Sequence, residues 1–236
     1  MIDGLHGYIQ RTWDEAQDRN RQGLIDLLRN SGGTLLDLGC AEGAYTMQVA
    51  RAIGAEKVMG VEIEPDAAAE AAERGAEVTI GDLNLHLDLH GGVADGIVAN
   101  QVIEHLNDTD NLVSEAYRLL KPGGVLAIST ENISAWYNIV AITLGWQPFS
   151  LTNISGKGMG VGNPLALHRG AAGQRPPYQH KRLFAPVGLR ELLELHGFKV
   201  EEMKGYGYFP LRGVIAELLS SFDWRHSAFI AAKARK

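Results

Sequence analysis

The chain has one cysteine, Cys40, in 236 residues. A lone thiol cannot form an intrachain disulfide, and it excludes zinc sites built on paired cysteines. Long apolar runs are also missing. The most apolar stretch, AWYNIVAITLGW from Ala135 to Trp146, is interrupted by Asn138 and Thr143. A transmembrane helix needs about 20 such residues, so no span is expected. The first residues, MIDGLHGYIQRTWDEAQ, lack the basic-then-apolar order of a secretory leader. A cytoplasmic location is the expectation. Positive charge is in deficit: 22 Lys and Arg face 28 Asp and Glu, a net −6. That argues against a nucleic-acid partner gripped through its phosphates. The sequence does not fix the oligomeric state, although the apolar stretch AWYNIVAITLGW is suited to packing on a partner chain.

Hydrophobic residues at 45% and charged residues at 21% are ordinary for a globular chain with a sizeable core. Residues 11–30 have the spacing of an amphipathic helix that stops at Ser31-Gly32-Gly33. Apolar runs and helical patterns then alternate. TLLDLG, KVMGVEI, AEVTIGD, DGIVANQV and VLAIST read as strands. AYTMQVARAI, PDAAAEAAERG and Asp108–Leu120 read as helices. Such alternation with short loops predicts a doubly wound α/β sheet. The pattern breaks between Asn132 and Arg182, a Gly- and Pro-rich segment with no period. Order returns with the helix APVGLRELLELHG and the strands FKVEEMKGYGY and SAFIAAKARK, expected as an antiparallel pair at the sheet edge. The whole chain reads as one domain, 1–236, with 132–182 as an inserted lid.

LLDLGCAEGAYT, Leu35 to Thr46, is a strand ending in an acid and opening into a Gly-spaced loop. Many folds hold a nucleotide on such a loop. A dinucleotide fingerprint requires a second glycine where the pyrophosphate touches the backbone, and this chain has Ala41 there. Gly39, Ala41 and Gly43 keep the turn bare enough for a ligand to approach. Acids follow at each strand end. Asp37 precedes the loop, Glu62 ends the second strand and Asp82 ends the third. Glu62 suits ribose hydroxyls. Asp82 suits an adenine amino group, with the Leu83 N–H donating to the ring. Three carboxylates would repel a pyrophosphate but fit a ligand carrying an amine and a sulfonium.

The ordered segments LLDLGCAEG, GVEIEP, GDL, VIEHL and LKPGG resemble the class I S-adenosylmethionine-dependent methyltransferases over about residues 30 to 130. The stretch HKRLFAPVGLRELLELHGFKV resembles their last third. The resemblance implies a Rossmann-like seven-stranded sheet of order 3-2-1-4-5-7-6, strand 7 antiparallel, with helices on both faces and an insertion after strand 5. It also implies S-adenosylmethionine as cofactor, held by Asp37, Gly39, Ala41, Gly43, Glu62, Asp82, Leu83 and Asn100.

Methyl transfer is an in-line displacement, so the nucleophile and its base belong at the carboxyl ends of strands four and five. Glu104 and His105 stand there in NQVIEHL, and His105 is placed as a general base. The same stretch resembles the E-x-x-E-H metal motif of small-RNA 2′-O-methyltransferases and of ubiquinone-pathway O-methyltransferases. Gln101, Glu104, His105 and His180 would hold that ion. Gln101 replaces the first acid with a neutral amide, and Mg²⁺ favours carboxylates, so no metal is expected.

Not one Asp or Glu occurs from Asn132 to Arg190. Lys157, Arg169, Arg175, Lys181, Arg182 and Arg190 do, beside Trp136, Tyr137, Trp146, Phe149 and Tyr178. A basic, aromatic lid suits an anionic or ring-bearing acceptor, with Tyr178, His180 and Arg182 at its contact face. Tyr8 and Trp13 are expected to fold over the cofactor as a second part of that lid. The reading is an O-methyltransferase of a small-molecule, saccharide or phenolic acceptor. Its alternatives are an RNA 2′-O-methyltransferase, which needs the metal site complete, and a non-catalytic protein that binds S-adenosylmethionine. A nicotinamide-dependent dehydrogenase is disfavoured by Ala41 and Asp82.

Overall fold

The structure is a computed structural model that describes residues 2–29, 31–173 and 178–236. Seven strands form one sheet: β1 (Gly33–Leu38), β2 (Ala55–Glu62), β3 (Glu77–Ile80), β4 (Ala94–Asn100), β5 (Leu120–Glu131), β6 (Lys199–Tyr206) and β7 (Phe229–Arg235). Their order is β3-β2-β1-β4-β5-β7-β6. The first five are mutually parallel, and β7 runs antiparallel between β5 and β6. The expected sheet order is therefore the one observed.

Burial on both faces explains why β1 and β4 read as continuous apolar runs rather than alternating ones. Leu35 packs with α1 (Ile2–Leu27) and α2 (Ala44–Ile53), beside Leu24, Leu28, Val49 and Val98. Its neighbour Leu36 points the other way, into a cluster with α4 (Thr109–Leu119) and α6 (Pro186–Leu195), beside Ile97, Leu112 and Leu193. Local chemistry sets the helix ends. Pro65 opens α3 (Pro65–Glu73), Gly54 at φ 69° closes α2, and the Asp108 side chain caps α4 by accepting from the Asn111 N–H at 2.9 Å.

Three elements depart from the sequence reading. The first helix begins at Ile2 rather than near residue 11. The inserted segment contains a helix, α5 (Trp136–Thr143), and a helix α7 (Gly213–Phe222) precedes β7. The insertion is tied down at both ends. Asn132 bridges Phe184, and its side-chain amide donates to the carbonyls of Arg225 and Ser227, each at 2.8 Å. No helix among the described residues is long and apolar enough to cross a membrane.

Candidate active site

The site lies where the parallel strands end. Below the Gly loop, Asp37 is 3% exposed and accepts from Thr46 Oγ1 of α2 at 2.6 Å. Burial pushes its carboxyl up to about 7; the Thr46 bond opposes this and the Glu62 charge adds to it. Asp37 therefore braces β1 against α2, and it does not line an open cradle as the sequence reading has it. The loop crosses to β2 through the Gly39 and Cys40 N–H groups, both donating to Val61 O. Glu62 folds back over that crossing. It accepts from the N–H groups of Ala41, Ile63 and Glu64 at 2.8–2.9 Å. Ala41 is held at φ 46°, a left-handed geometry, to make that bond.

The loop glycines have a different purpose from the one expected. A Cβ on Gly39 would meet Val102 Cγ2 at 2.8 Å, and one on Gly43 would meet Ala71 Cα at 2.8 Å. Both residues also have positive φ. Their bareness lets Val102, after β4, and Ala71 of α3 pack against the turn, a packing reason for glycine that the sequence reading did not include.

Asp82 closes a turn by accepting from the Asn84 N–H and side-chain amide at 2.8 and 2.7 Å. Leu83 buries its side chain, which leaves only its backbone to meet a ligand. Asn100 ends β4. Its Oδ1 accepts from Asn20 Nδ2 of α1 at 2.9 Å and from Ser129 Oγ at 3.0 Å. Asn20 Oδ1 beside it is buried without a donor.

A second cluster gathers around the turn after β4. Gln101 sits at φ 56°, and with its amide oriented to satisfy both ends it donates to Glu104 Oε1 and accepts from the Thr130 N–H, both at 3.2 Å. Glu104 is fully buried and accepts from Thr130 Oγ1 at 3.0 Å. Burial raises it to about 7, with the His180 charge opposing. The His105 ring packs edge-on to His180, centroids 4.7 Å apart. Burial, then the nearby His180 charge, pushes His105 down to about 4. Backbone carbonyls fix both rings: His105 Nδ1 lies 3.3 Å from Gln179 O, and His180 Nδ1 lies 2.6 Å from Ser150 O. A carbonyl only accepts, so each Nδ1 carries the proton and each Nε2 keeps its lone pair. Ligand atoms of Glu104, His105 and His180 lie within 4.8 Å of one another.

Beside this cluster opens a cavity of about 350 Å³. Glu131, at the end of β5, forms its polar corner with His180 and Ser150. Trp13, Tyr137, Phe149, Met159, Leu165 and Phe209 make most of the rest. Neither Glu104 nor His105 is on its wall.

The methyltransferase-domain family matches residues 10–203 of this chain. The chain belongs to the class I S-adenosylmethionine-dependent methyltransferases. A probable S-adenosylmethionine-dependent methyltransferase of Mycolicibacterium smegmatis is 32% identical over 86% of this chain and 63% of its own length. The mitochondrial ubiquinone biosynthesis O-methyltransferase of Rattus norvegicus is 26% identical over 78% of this chain and 49% of its own. The chain thus spans less than two thirds of either relative. An S-adenosylmethionine-dependent methyltransferase structure from Mesorhizobium loti superposes with a TM-score of 0.61 at 18% identity, over 91% of this chain and 96% of that one. At that identity the likeness concerns the fold.

The donor set fits the cofactor of a class I methyltransferase. Carboxylates at the ends of β2 and β3 suit hydroxyl and amino donors rather than a phosphate. The lid departs further from expectation. Trp13 reaches the cavity and packs on Phe229 and Tyr137 at 5.0 and 6.3 Å. Tyr8 does not reach it; its hydroxyl donates to Pro210 O. Of the expected contact face, His180 lines the cavity, while Tyr178 and Arg182 are exposed and off the wall, with Arg182 donating to Asn107 O. Arg169 donates to the carbonyls of Gly160 and Asn163. Lys157, Lys181 and Arg190 are exposed and off the wall. Arg175 lies outside the described residues. Glu131 escaped the sequence reading, although the rule that sets Asp37, Glu62 and Asp82 at strand ends marks it equally.

Proposed function

We propose that this chain moves the methyl group of S-adenosylmethionine to an oxygen of a small, mostly apolar molecule. The observation that carries this reading is the cavity at the carboxyl end of β5, walled by aromatic and aliphatic side chains from α1, the insertion and the segment before α7. The cofactor brings an activated sulfonium. Glu62 and Asp82 orient it, and the cavity walls exclude water and hold the acceptor in line. The ubiquinone-pathway relative supports oxygen as the nucleophile. His105, with a folded value of about 4, is neutral at pH 7 and a weak base, and it stands off the wall. His168 and His180 are the imidazoles that line the cavity, and His180 is the one beside Glu131. A walled cavity of this size supports a small acceptor over an RNA end.

Calorimetric titration tests the reading. S-adenosylhomocysteine should bind in the micromolar range and NAD should not. Glu62→Ala should weaken the former at least tenfold, about 1.4 kcal/mol. Binding of NAD in its place would overturn the assignment.

A second reading adds an ion. Glu104, His105 and His180 converge with both Nε2 lone pairs available, while Gln101 directs its amide N–H to Glu104 and its oxygen to the Thr130 N–H, so it is not a ligand. Two imidazoles suit a transition metal better than Mg²⁺. Such an ion would polarise the acceptor oxygen. Turnover should then fall on exhaustive chelation and return with Mn²⁺ or Co²⁺; full activity after chelation would remove the ion from the reaction.

A further inference from the structure

The cavity wall contains a buried acid with an unanswered oxygen. Glu131 is 8% exposed, and no donor among the described residues meets its Oε2 in hydrogen-bonding geometry. The chain neighbours on either side are satisfied: Thr130 donates to Glu104, and Asn132 donates to two carbonyls. The nearest cationic candidate is His180 Nδ1, 4.0 Å away, and its proton is directed at Ser150 O, at 2.6 Å. Ser150 Oγ accepts from Asn138 Nδ2 at 2.9 Å, and its single hydroxyl proton is shared between the side chains of Glu131 and Tyr137, which leaves Glu131 Oε2 short of a donor of its own. On the same wall the Tyr137 hydroxyl is buried, and among the described residues no acceptor meets it in hydrogen-bonding geometry. An acceptor and a donor with one serine hydroxyl between them thus face one mostly apolar space.

Buried polar groups without partners are rare in folded proteins, because desolvation is not repaid. Two on one cavity wall are what a binding site looks like before its ligand arrives. The ligand must bring a hydrogen-bond donor to Glu131 and an apolar body to the rest. Among the described residues no Lys or Arg lines the space, and its basic groups are the imidazoles of His168 and His180, so a carboxylate or phosphate would be stripped of water with no permanent cation to meet it.

We infer that Glu131 selects the acceptor: it receives a hydrogen bond from the hydroxyl of a neutral, ring-sized apolar molecule, and the cavity rejects anionic analogues of the same shape. This rests on the methyltransferase reading and narrows its substrate class. It replaces the anionic acceptor that the basic lid led the sequence to suggest.

Calorimetry on the whole chain loaded with S-adenosylhomocysteine decides it. The probes are 1-naphthol, its methyl ether 1-methoxynaphthalene, which has the ring without the donor, and 1-naphthoate. The expected result is naphthol at least tenfold tighter than the ether, with naphthoate weakest. Glu131→Met keeps the side-chain length and removes both oxygens, and should bring the naphthol-to-ether ratio close to one. Glu131→Gln keeps an acceptor and should restore part of the preference. Equal binding of naphthol and ether to the unaltered chain would overturn the inference. So would an unchanged ratio in Glu131→Met, tightest binding of naphthoate, or no probe binding at all. Failure of S-adenosylhomocysteine itself to bind would instead sink the methyltransferase reading beneath it.

Discussion

Burial raises Asp37 to about 7 from an ordinary 3.8, so the folded chain holds a proton there that the unfolded chain has released. Between those two values the native state binds more protons than the unfolded one, and stability falls as pH rises. Glu104, raised to about 7 from 4.5, acts in the same sense. His105, lowered to about 4 from 6.5, acts in the opposite sense, since the unfolded imidazole takes the proton first. Asp37→Asn mimics the protonated group and separates these contributions. Relative to that variant, the unaltered chain should lose up to about 1.4 kcal/mol per pH unit from pH 4 to 7 and nothing further above it. Urea titrations of both proteins across that range check the slope, and parallel curves would refute it. Cys40 sits on the same loop, 4% exposed with its thiol pushed up to about 12, so the lone cysteine is an inert packing residue. The strand-end acids were legible because each follows its own apolar run. Glu131's partners on the cavity wall were not, because Trp13, Tyr137 and Phe209 come from three distant segments whose meeting no local pattern records.

The elements that the sequence concealed share one property. In α7 the residues that turn inward are Ala216 and Ser220, while Val214, Ile215, Leu218 and Phe222 face out. In α5 the inward pair is Asn138 and Ala141, with Val140, Ile142 and Leu144 outside. A helix is read from an apolar stripe against a polar one; α5 lacks that contrast, and α7 has it but turns the apolar stripe outward. The helices α2, α3, α4 and α6 have it with the apolar stripe turned to the sheet, and those were legible along with all seven strands. The inversion has a measurable sign. Leu218→Lys should change stability by no more than about 0.5 kcal/mol, as for an ordinary surface site. Ala216→Lys, at a position 2% exposed, should cost several times that by forcing a charge inward. Thermal melts of the two variants compare them directly. A larger loss from Leu218→Lys would mean that the outer face is covered.

Across the whole molecule, the two rims of the sheet have separate duties. The carboxyl rim carries Asp37, Glu62, Asp82, Asn100 and Glu131. The opposite rim carries ties between elements. Asp95 accepts from the Thr34 N–H and from Lys121 at 2.8 and 2.7 Å, and Lys236 Nζ reaches Leu120 O at 2.7 Å. The sheet order also has a consequence in time. A ribosome delivers β6 before β7, yet β6 pairs with β7 alone, while β5 waits with one edge open. For that interval two strands hold unpaired edges that match each other's missing neighbour. The seventh strand arrives as a wedge that closes both at once, so the strand that seals this sheet is also the one that pairs with Glu131 at the cavity.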